Sequence, residues 1–165
     1  DKIVAIIGAG DAGLDTAWQL TYYAKKIYIL NKYSELKSDN VILQEKIKDN
    51  PKIEILYQAE AREIKGTKFV ESLVYEQAGI KKEVVVDGIF AEIGSVPNSS
   101  LVENLVKLNG REEIVIDPRT NSTSVTGIFA AGDVTDISQK QIVVAAGEGA
   151  RAALSVYEYL KSHST

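Results

Sequence analysis

The stretch I-V-A-I-I-G-A-G-D-A-G-L-D, residues 3–15, constrains this chain more than any other. An apolar run stops at Gly8, and Gly10 and Gly13 follow it. A continuous run of Ile, Val and Ala suits a strand covered on both faces, as in a parallel sheet. Residues 11–24 read as a helix, with Leu14, Ala17, Trp18 and residues 20–22 supplying an apolar side. Residues 27–30, I-Y-I-L, read as a second strand. Strand, glycine turn, helix and strand within about 30 residues make a βαβ unit in which each glycine has its own task. Gly8 permits the tight turn, Gly10 lets backbone approach a pyrophosphate, and Gly13 lets helix pack closely on strand. The helix start, with Asp11 and Ala12, offers phosphates unpaired N–H groups and a partial positive charge. Asp11 is expected to cap that helix with its carboxylate, turned away from a ligand.

The end of the second strand sets which dinucleotide fits. An Asp or Glu there binds the adenosine ribose hydroxyls and repels a 2′-phosphate. This sequence has Leu30-Asn31-Lys32 instead. Asn31 can hydrogen-bond a ribose hydroxyl but carries no repelling charge. Lys32 and Lys37 either attract a 2′-phosphate or are ordinary surface lysines. Residues 31–40 contain no arginine, the natural bidentate phosphate clamp, which favours NADH over NADPH.

Further along, residues 41–48 read as a helix with Val41, Ile42, Ile47 and Leu43 inward, stopped by Asn50-Pro51. Residues 53–57 are a third strand. Residues 62–65, 68–76 and 81–86 look like an antiparallel meander, and residues 89–93 like another buried strand. G-S-V-P-N-S-S, residues 94–100, is the best linker candidate. Beyond it come a short helix near 101–108, strands at 114–116 and 127–131, and a long helix over 141–160.

Composition narrows the chemistry. The 165 residues contain no cysteine and one histidine, His163, which makes thiol and histidine catalysis and zinc sites improbable. No side chain is expected to be catalytic and no metal is expected. Redox chemistry would need a bound cofactor. The net charge of −4 disfavours nucleic acid and anionic membrane. No apolar run is long enough for a spanning helix and no signal peptide is visible, so the expected location is cytoplasmic.

The second informative stretch is G-I-F-A-A-G-D-V, residues 127–134. Gly132 would admit a ligand to the backbone and Asp133 could accept from a sugar hydroxyl. Physics alone leaves that reading level with a plain Asp-containing turn.

Here the sequence resembles a known family. T-G-I-F-A-A-G-D-V, followed by K-Q-I-V-V-A-A-G-E-G-A-R-A-A, is similar to the C-terminal flavin-binding segment of thioredoxin reductase-like pyridine nucleotide-disulfide flavoproteins. G-A-G-D-A-G resembles their nucleotide turn, and E-I-G-S-V-P-N the hinge between their NAD and FAD domains. S-E-L-K-S-D-N-V resembles the stretch after their second strand, in the NADH-using branch rather than the thioredoxin reductase branch. The resemblance implies an α/β fold: a Rossmann-like parallel sheet with an antiparallel β-meander, plus the C-terminal strand–helix segment of an FAD-binding domain. It implies an NAD(P)-binding domain over residues 1–95 and a C-terminal portion of the FAD domain over 96–165. It places Gly8, Gly10 and Gly13 at the NAD pyrophosphate and Asn31 at the adenosine ribose. Gly94 and Pro97 fall beside the nicotinamide-side crossover, Asp133 at the FAD ribityl or pyrophosphate, and Gln141 and Ile142 at the isoalloxazine ring. The implied partners are a thioredoxin-like or peroxiredoxin-like redox protein and a second copy in a homodimer.

Two departures stand out. NADH-using relatives often have an acidic residue where Asn31 stands. Such enzymes also carry an N-terminal FAD-binding half and a Cys-x-x-Cys pair, and this sequence has neither. The expectation is therefore a piece of a larger enzyme that passes hydride from NADH to FAD and then electrons to a disulfide, with little disulfide reductase activity of its own. The alternatives are a cysteine-free flavoprotein like ferredoxin–NADP reductase and a non-enzymatic NADH-sensing module.

Overall fold

The computed structural model describes residues 1–38 and 40–163. The chain divides into two compact units, Asp1–Gly94 and the residues from Ser95 onward. The first contains β1 (Lys2–Ile7), α1 (Asp11–Leu20), β2 (Ala24–Asn31), α2 (Val41–Lys48) and β3 (Ile53–Tyr57). It continues with β4 (Ala59–Gly66), β5 (Val70–Gln77), β6 (Ile80–Val85) and β7 (Gly88–Ala91). A parallel sheet has the order β3-β2-β1-β7, and β4-β5-β6 form a separate antiparallel sheet.

Alternation along the strands explains the layers. Val4 and Ile6 of β1, with Ile27 and Ile29 of β2, pack with Leu14, Ala17 and Ile47 of the helices. Ala5 and Leu30, on the opposite face, pack with Leu73 and Tyr75 of the meander. Both faces of the parallel sheet are thus covered, and its strands read as unbroken apolar runs. Burial among these groups pushes the Tyr75 phenol above its usual range. At the rim, Asp87 accepts from Lys2 Nζ and from the Ile3 N–H, both at 2.8 Å, and so ties the start of β1 to the approach to β7.

Two helices differ from expectation. α1 stops at Leu20, because residues 21–23 turn their N–H groups back onto the carbonyls of residues 18–20. Tyr22 is consequently exposed instead of inward. In α2, Asn40 caps the first turn through the Leu43 N–H. Leu43 and Ile47, four residues apart, share the inward face, while Val41 and Ile42 lie off it and are exposed.

The second unit has little regular structure before its helix. The helix expected near 101–108 is a single 3₁₀ turn, Ser100–Val102. Val102, Val106 and Leu108 reach the small core there, and Leu101 and Leu105 are exposed. The strands expected at 114–116 and 127–131 appear as isolated bridges, Leu108↔Ile114, Ile114↔Thr135 and Ser122↔Phe129. Gly127, at φ +85°, cannot continue a strand. Val106, Ile114, Ile116 and Ala130 form the core, and α3 (Ile142–His163) closes the unit. Among the described residues, no helix is long and apolar enough to cross a membrane.

Candidate functional site

The carboxyl ends of β1, β2 and β7 lie side by side. The Gly8 N–H donates to Leu30 O at 3.0 Å, and the Glu92 N–H donates to Ile7 O at 2.8 Å. The three glycines that follow β1 prove to have different reasons for being glycine. Gly8 has φ +111°, and a Cβ there would stand 2.1 Å from the Glu92 carbonyl oxygen. A Cβ on Gly13 would stand 2.2 Å from the Gly8 carbonyl oxygen. Both are demanded by the chain's own packing. Gly10 is not: its φ is −81°, and a Cβ there meets nothing within 4 Å. It occupies the N-cap of α1, where no side chain caps the first turn. The glycine that packing leaves unexplained therefore sits where a helix start presents bare N–H groups, as a pyrophosphate requires.

In front of this turn is a cavity of about 580 Å³. Gly8, Gly10, Asn31, Lys32 and Gly94 line it together. Gly94 has φ +103° and so needs to be glycine for its backbone alone. Asp11 and Ala12 lie beside the cavity on the exposed first turn of α1, and Pro97 does not line it. Tyr33, Lys37, Glu60 and Glu92 also line it. No local pattern in the sequence points to Glu60 or Glu92, because β4 and β7 reach the cavity only through long-range sheet assembly. Glu92 accepts from the Thr16 hydroxyl of α1 at 3.2 Å, and Glu60 is paired with Arg62 at 2.8 Å.

The loop after β2 is fixed at both ends. Asn31, 3% exposed, donates its amide to Glu35 O at 2.7 Å and accepts the Tyr33 N–H at 3.2 Å. Its side chain builds the turn before it can serve a ligand. At the far end, Ser38 donates to the Asp11 carboxylate and accepts from the Asn40 N–H, and Gln44 holds Ser38 O. This corrects the expected role of Asp11. It is the first residue of α1 and not its cap, and its carboxylate pins the loop. Asp39, within the S-E-L-K-S-D-N-V motif, lies outside the described residues. Between the two anchors, Lys37 Nζ stands 3.7 Å from the Tyr33 ring centroid and Lys32 Nζ 5.1 Å.

The second unit carries its own braced turn. Gly132, at φ +81°, donates its N–H to Glu148 Oε2 at 2.7 Å and accepts from the Thr135 hydroxyl at 2.8 Å. Lys140 donates to the carbonyls of Asp133 and Thr135 and pairs with Glu113 at 3.2 Å. Asn109's amide, opposed by burial and aided by Lys140 and Arg111, holds the Glu113 carboxyl below the usual range. Glu148 is 3% exposed, and its Oε1 has no partner among the described residues. Asp133 is exposed, and its carboxylate makes no hydrogen bond or ion pair among the described residues. Gln141 and Ile142 are exposed at the start of α3. An outward carboxylate on a braced glycine turn suits a polyhydroxyl ligand, and an exposed helix start suits an electron-rich edge. No group of residues that could hold a metal occurs among the described residues.

A parallel sheet covered by helices on one face and a meander on the other, with a glycine turn at the sheet's switch point, defines a pyridine-nucleotide-binding fold. Residues 1–149 match the pyridine nucleotide-disulphide oxidoreductase family, and the chain belongs to it. It is 43% identical over 162 residues to the F subunit of alkyl hydroperoxide reductase from Staphylococcus epidermidis, covering 97% of this chain and 32% of that protein. The Staphylococcus aureus counterpart is 42% identical over the same span. Thioredoxin reductase of Lactococcus lactis matches with a TM-score of 0.82 at 30% identity, covering 98% of this chain and 54% of that one. The T. acidophilum enzyme matches with a TM-score of 0.77 at 36% identity, over 99% and 53%. The chain thus spans about a third of the length of its curated relatives.

Proposed function

We propose that this chain is the nucleotide-binding part, with the returning flavin-binding part, of a flavoprotein that passes hydride from NADH to FAD and on to a disulfide. In this reading residues 1–95 are the NAD(P)-binding domain and residues 96–165 the C-terminal portion of the FAD domain. The observation that carries it is Gly10, a glycine at an uncapped helix start that packing does not require. Kinship with the alkyl hydroperoxide reductase flavoproteins and with thioredoxin reductases supports the chemistry. A thioredoxin-like or peroxiredoxin-like protein is the acceptor, and the whole enzyme is a homodimer. The sequence holds no cysteine, so the dithiol lies outside these 165 residues. The setting is cytoplasmic, where reduced pyridine nucleotides are made.

Gly8 and Gly13 shape the turn, and Gly10 with the N–H groups of Asp11 and Ala12 receives the pyrophosphate. Asn31 and Lys32 edge the adenosine side, with Gly94 and Pro97 toward the nicotinamide side. Gly132 and Asp133 take the flavin's sugar-like chain, and Gln141 and Ile142 lie against its ring. The flavin supplies the two-electron relay between nicotinamide and disulfide. No side chain here acts as acid or base; the residues bind and orient. Exposed Ile142, Val143, Leu154 and Tyr157 of α3 offer apolar surface to the rest of the enzyme.

The test is a titration with NADH, following Trp18 and nicotinamide fluorescence, with and without FAD. Saturable binding supports the reading, and no binding by a folded chain overturns it for these residues.

A further inference from the structure

The second unit holds a cavity of its own, about 520 Å³, lined by the loop at 119–122 and one side of α3. That volume suits a small molecule. Each wall contributes an arginine, Arg119 from the loop and Arg151 from the helix. The two are not equivalent. Arg151 commits its Nη1 to the chain, donating to Pro118 O at 2.6 Å and to Asn121 Oδ1 at 3.5 Å. This fixes the guanidinium and leaves its Nε and Nη2 for a further acceptor. The Arg119 guanidinium makes no hydrogen bond or ion pair among the described residues. Hydroxyls add donors on both walls. Thr120 and Ser122 share one hydrogen bond at 2.8 Å, so one of their two protons stays free. The Ser155 hydroxyl, across from them on α3, has no partner among the described residues. Leu154 and Phe129 supply an apolar side, with Phe129 set edge-on to Tyr159 at 6.1 Å. Glu158 is the acid on the lining, and among the described residues it pairs with neither arginine.

We propose that this cavity binds a small organic phosphate, a phosphomonoester with an apolar or ring-shaped body. Two guanidiniums without a carboxylate partner suit a dianion, and arginine is the side chain best matched to phosphate oxygens. Donors on facing walls reach a ligand from several directions, which fits the tetrahedral oxygens of a phosphate better than the flat fork of a carboxylate. Leu154 and Phe129 then cover the body of the molecule. Glu158 opposes the dianion and limits how tightly it is held. The site is separate from the turn assigned to the flavin: Gly132, Asp133, Gln141 and Ile142 do not line it, and Arg151 stands roughly 14 Å along α3 from Ile142. It does not depend on the nucleotide reading of the first unit.

The experiment is a nuclear magnetic resonance titration of the nitrogen-labelled full chain with phenyl phosphate, following backbone amides and arginine Nε–H signals. Saturable shifts are expected at Arg119, Arg151 and Ser155, with a Kd of about 1 mM or tighter. Phenol, which keeps the ring and lacks the phosphate, should bind at least about tenfold more weakly. Arg119→Gln should weaken phenyl phosphate at least about fivefold, and Glu158→Gln should tighten it about two- to fivefold. Both side chains are exposed and make no hydrogen bond or ion pair among the described residues, and the amide spectrum reports that the variants keep the fold. Shifts confined to the glycine turn at 8–13, equal affinity for phenol, or a Kd unmoved by Arg119→Gln overturns the proposal. So does weaker binding by Glu158→Gln, or no saturable shift up to about 10 mM. None of these outcomes bears on NADH binding in the first unit.

Discussion

The two glycine turns, 8–13 in the first unit and 132–135 in the second, are held by opposite means. The first is enforced by backbone. The main chain at Glu92, just past β7, lies within touching distance of Gly8, and α1 presses Gly13 onto Gly8, so no side chain is needed to hold the turn. The second has room around it: a Cβ on Gly132 would meet only the Ala145 methyl, at an ordinary 3.5 Å. It is held instead by side chains from elsewhere, Glu148 of α3 on one side and Lys140 with Glu113 on the other. A turn set by packing fails when its space is filled. A turn set by side chains fails when they are removed.

The same substitution should therefore separate the two units most widely. Gly8→Ala adds a left-handed backbone penalty to a collision with main chain that cannot retreat, and should destabilise the first unit by more than about 3 kcal/mol. Gly132→Ala carries only the backbone penalty, about 1–2 kcal/mol. Urea unfolding followed by Trp18 for the first, and by far-ultraviolet dichroism for the second, measures both. Equal losses would abolish the distinction.

Removing a brace reverses the test. Glu148→Ala leaves the part-buried Gly132 N–H unpaired and should cost about 1–3 kcal/mol. Glu148→Gln keeps an acceptor for that N–H, so its cost should be smaller than that of Glu148→Ala. Hydrogen exchange at the Gly132 amide should accelerate in the first variant and not in the second. A smaller effect separates Gly10 from its neighbours. Gly10→Ala should change stability by less than about 1 kcal/mol, because its Cβ has space. If the proposed function holds, it should nonetheless weaken NADH at least about tenfold, because in that reading the space receives the pyrophosphate.

These contrasts also explain what could be read in the sequence. The parallel sheet, the meander and the glycine turn were legible because each is written in a local period: unbroken apolar runs, alternation, or fixed glycine spacing. The ends of α1 and the inward face of α2 were not, since Tyr22, Val41 and Ile42 are apolar enough to fit either side and only the sheet's position decides. In the second unit the apolar runs at 114–116 and 127–131 find no long partner, and they remain bridges. At the site, the glycines carry their geometry with them. Asn31 and Asp11 do not: each has several possible partners, and the one it takes depends on a loop closing over residues 31–40. Glu148 left one trace, an acid between two glycines on a helix otherwise rich in alanine.

The finest test of the comparison is pH. Lys2 first, then the Ile3 N–H, lowers the Asp87 carboxyl, and Lys65 with Ser72 lowers that of Glu83; both lie in the first unit. Glu113 is lowered in the second, chiefly by Asn109. A carboxyl depressed in the folded state adds stability above its unfolded value, about pH 4, and loses it as pH falls through the folded value. Stability contributed by these three groups should be flat from about pH 6 to 7 and decline below about pH 4. Lys65, raised chiefly by Glu83, behaves oppositely: its contribution holds below its ordinary value and is lost as pH rises through the folded one. Salt should then divide the units. The Asp87 and Glu83 side chains are 38% and 45% exposed, that of Glu113 only 7%. Added salt should therefore blunt the acid dependence of the Trp18 transition more than that of the second unit. Asp87→Asn should reduce that dependence in the first unit alone, and Glu113→Gln in the second alone. If either substitution moved both transitions together, the two turns would belong to one cooperative structure, and the difference between packing and bracing would be local detail within it.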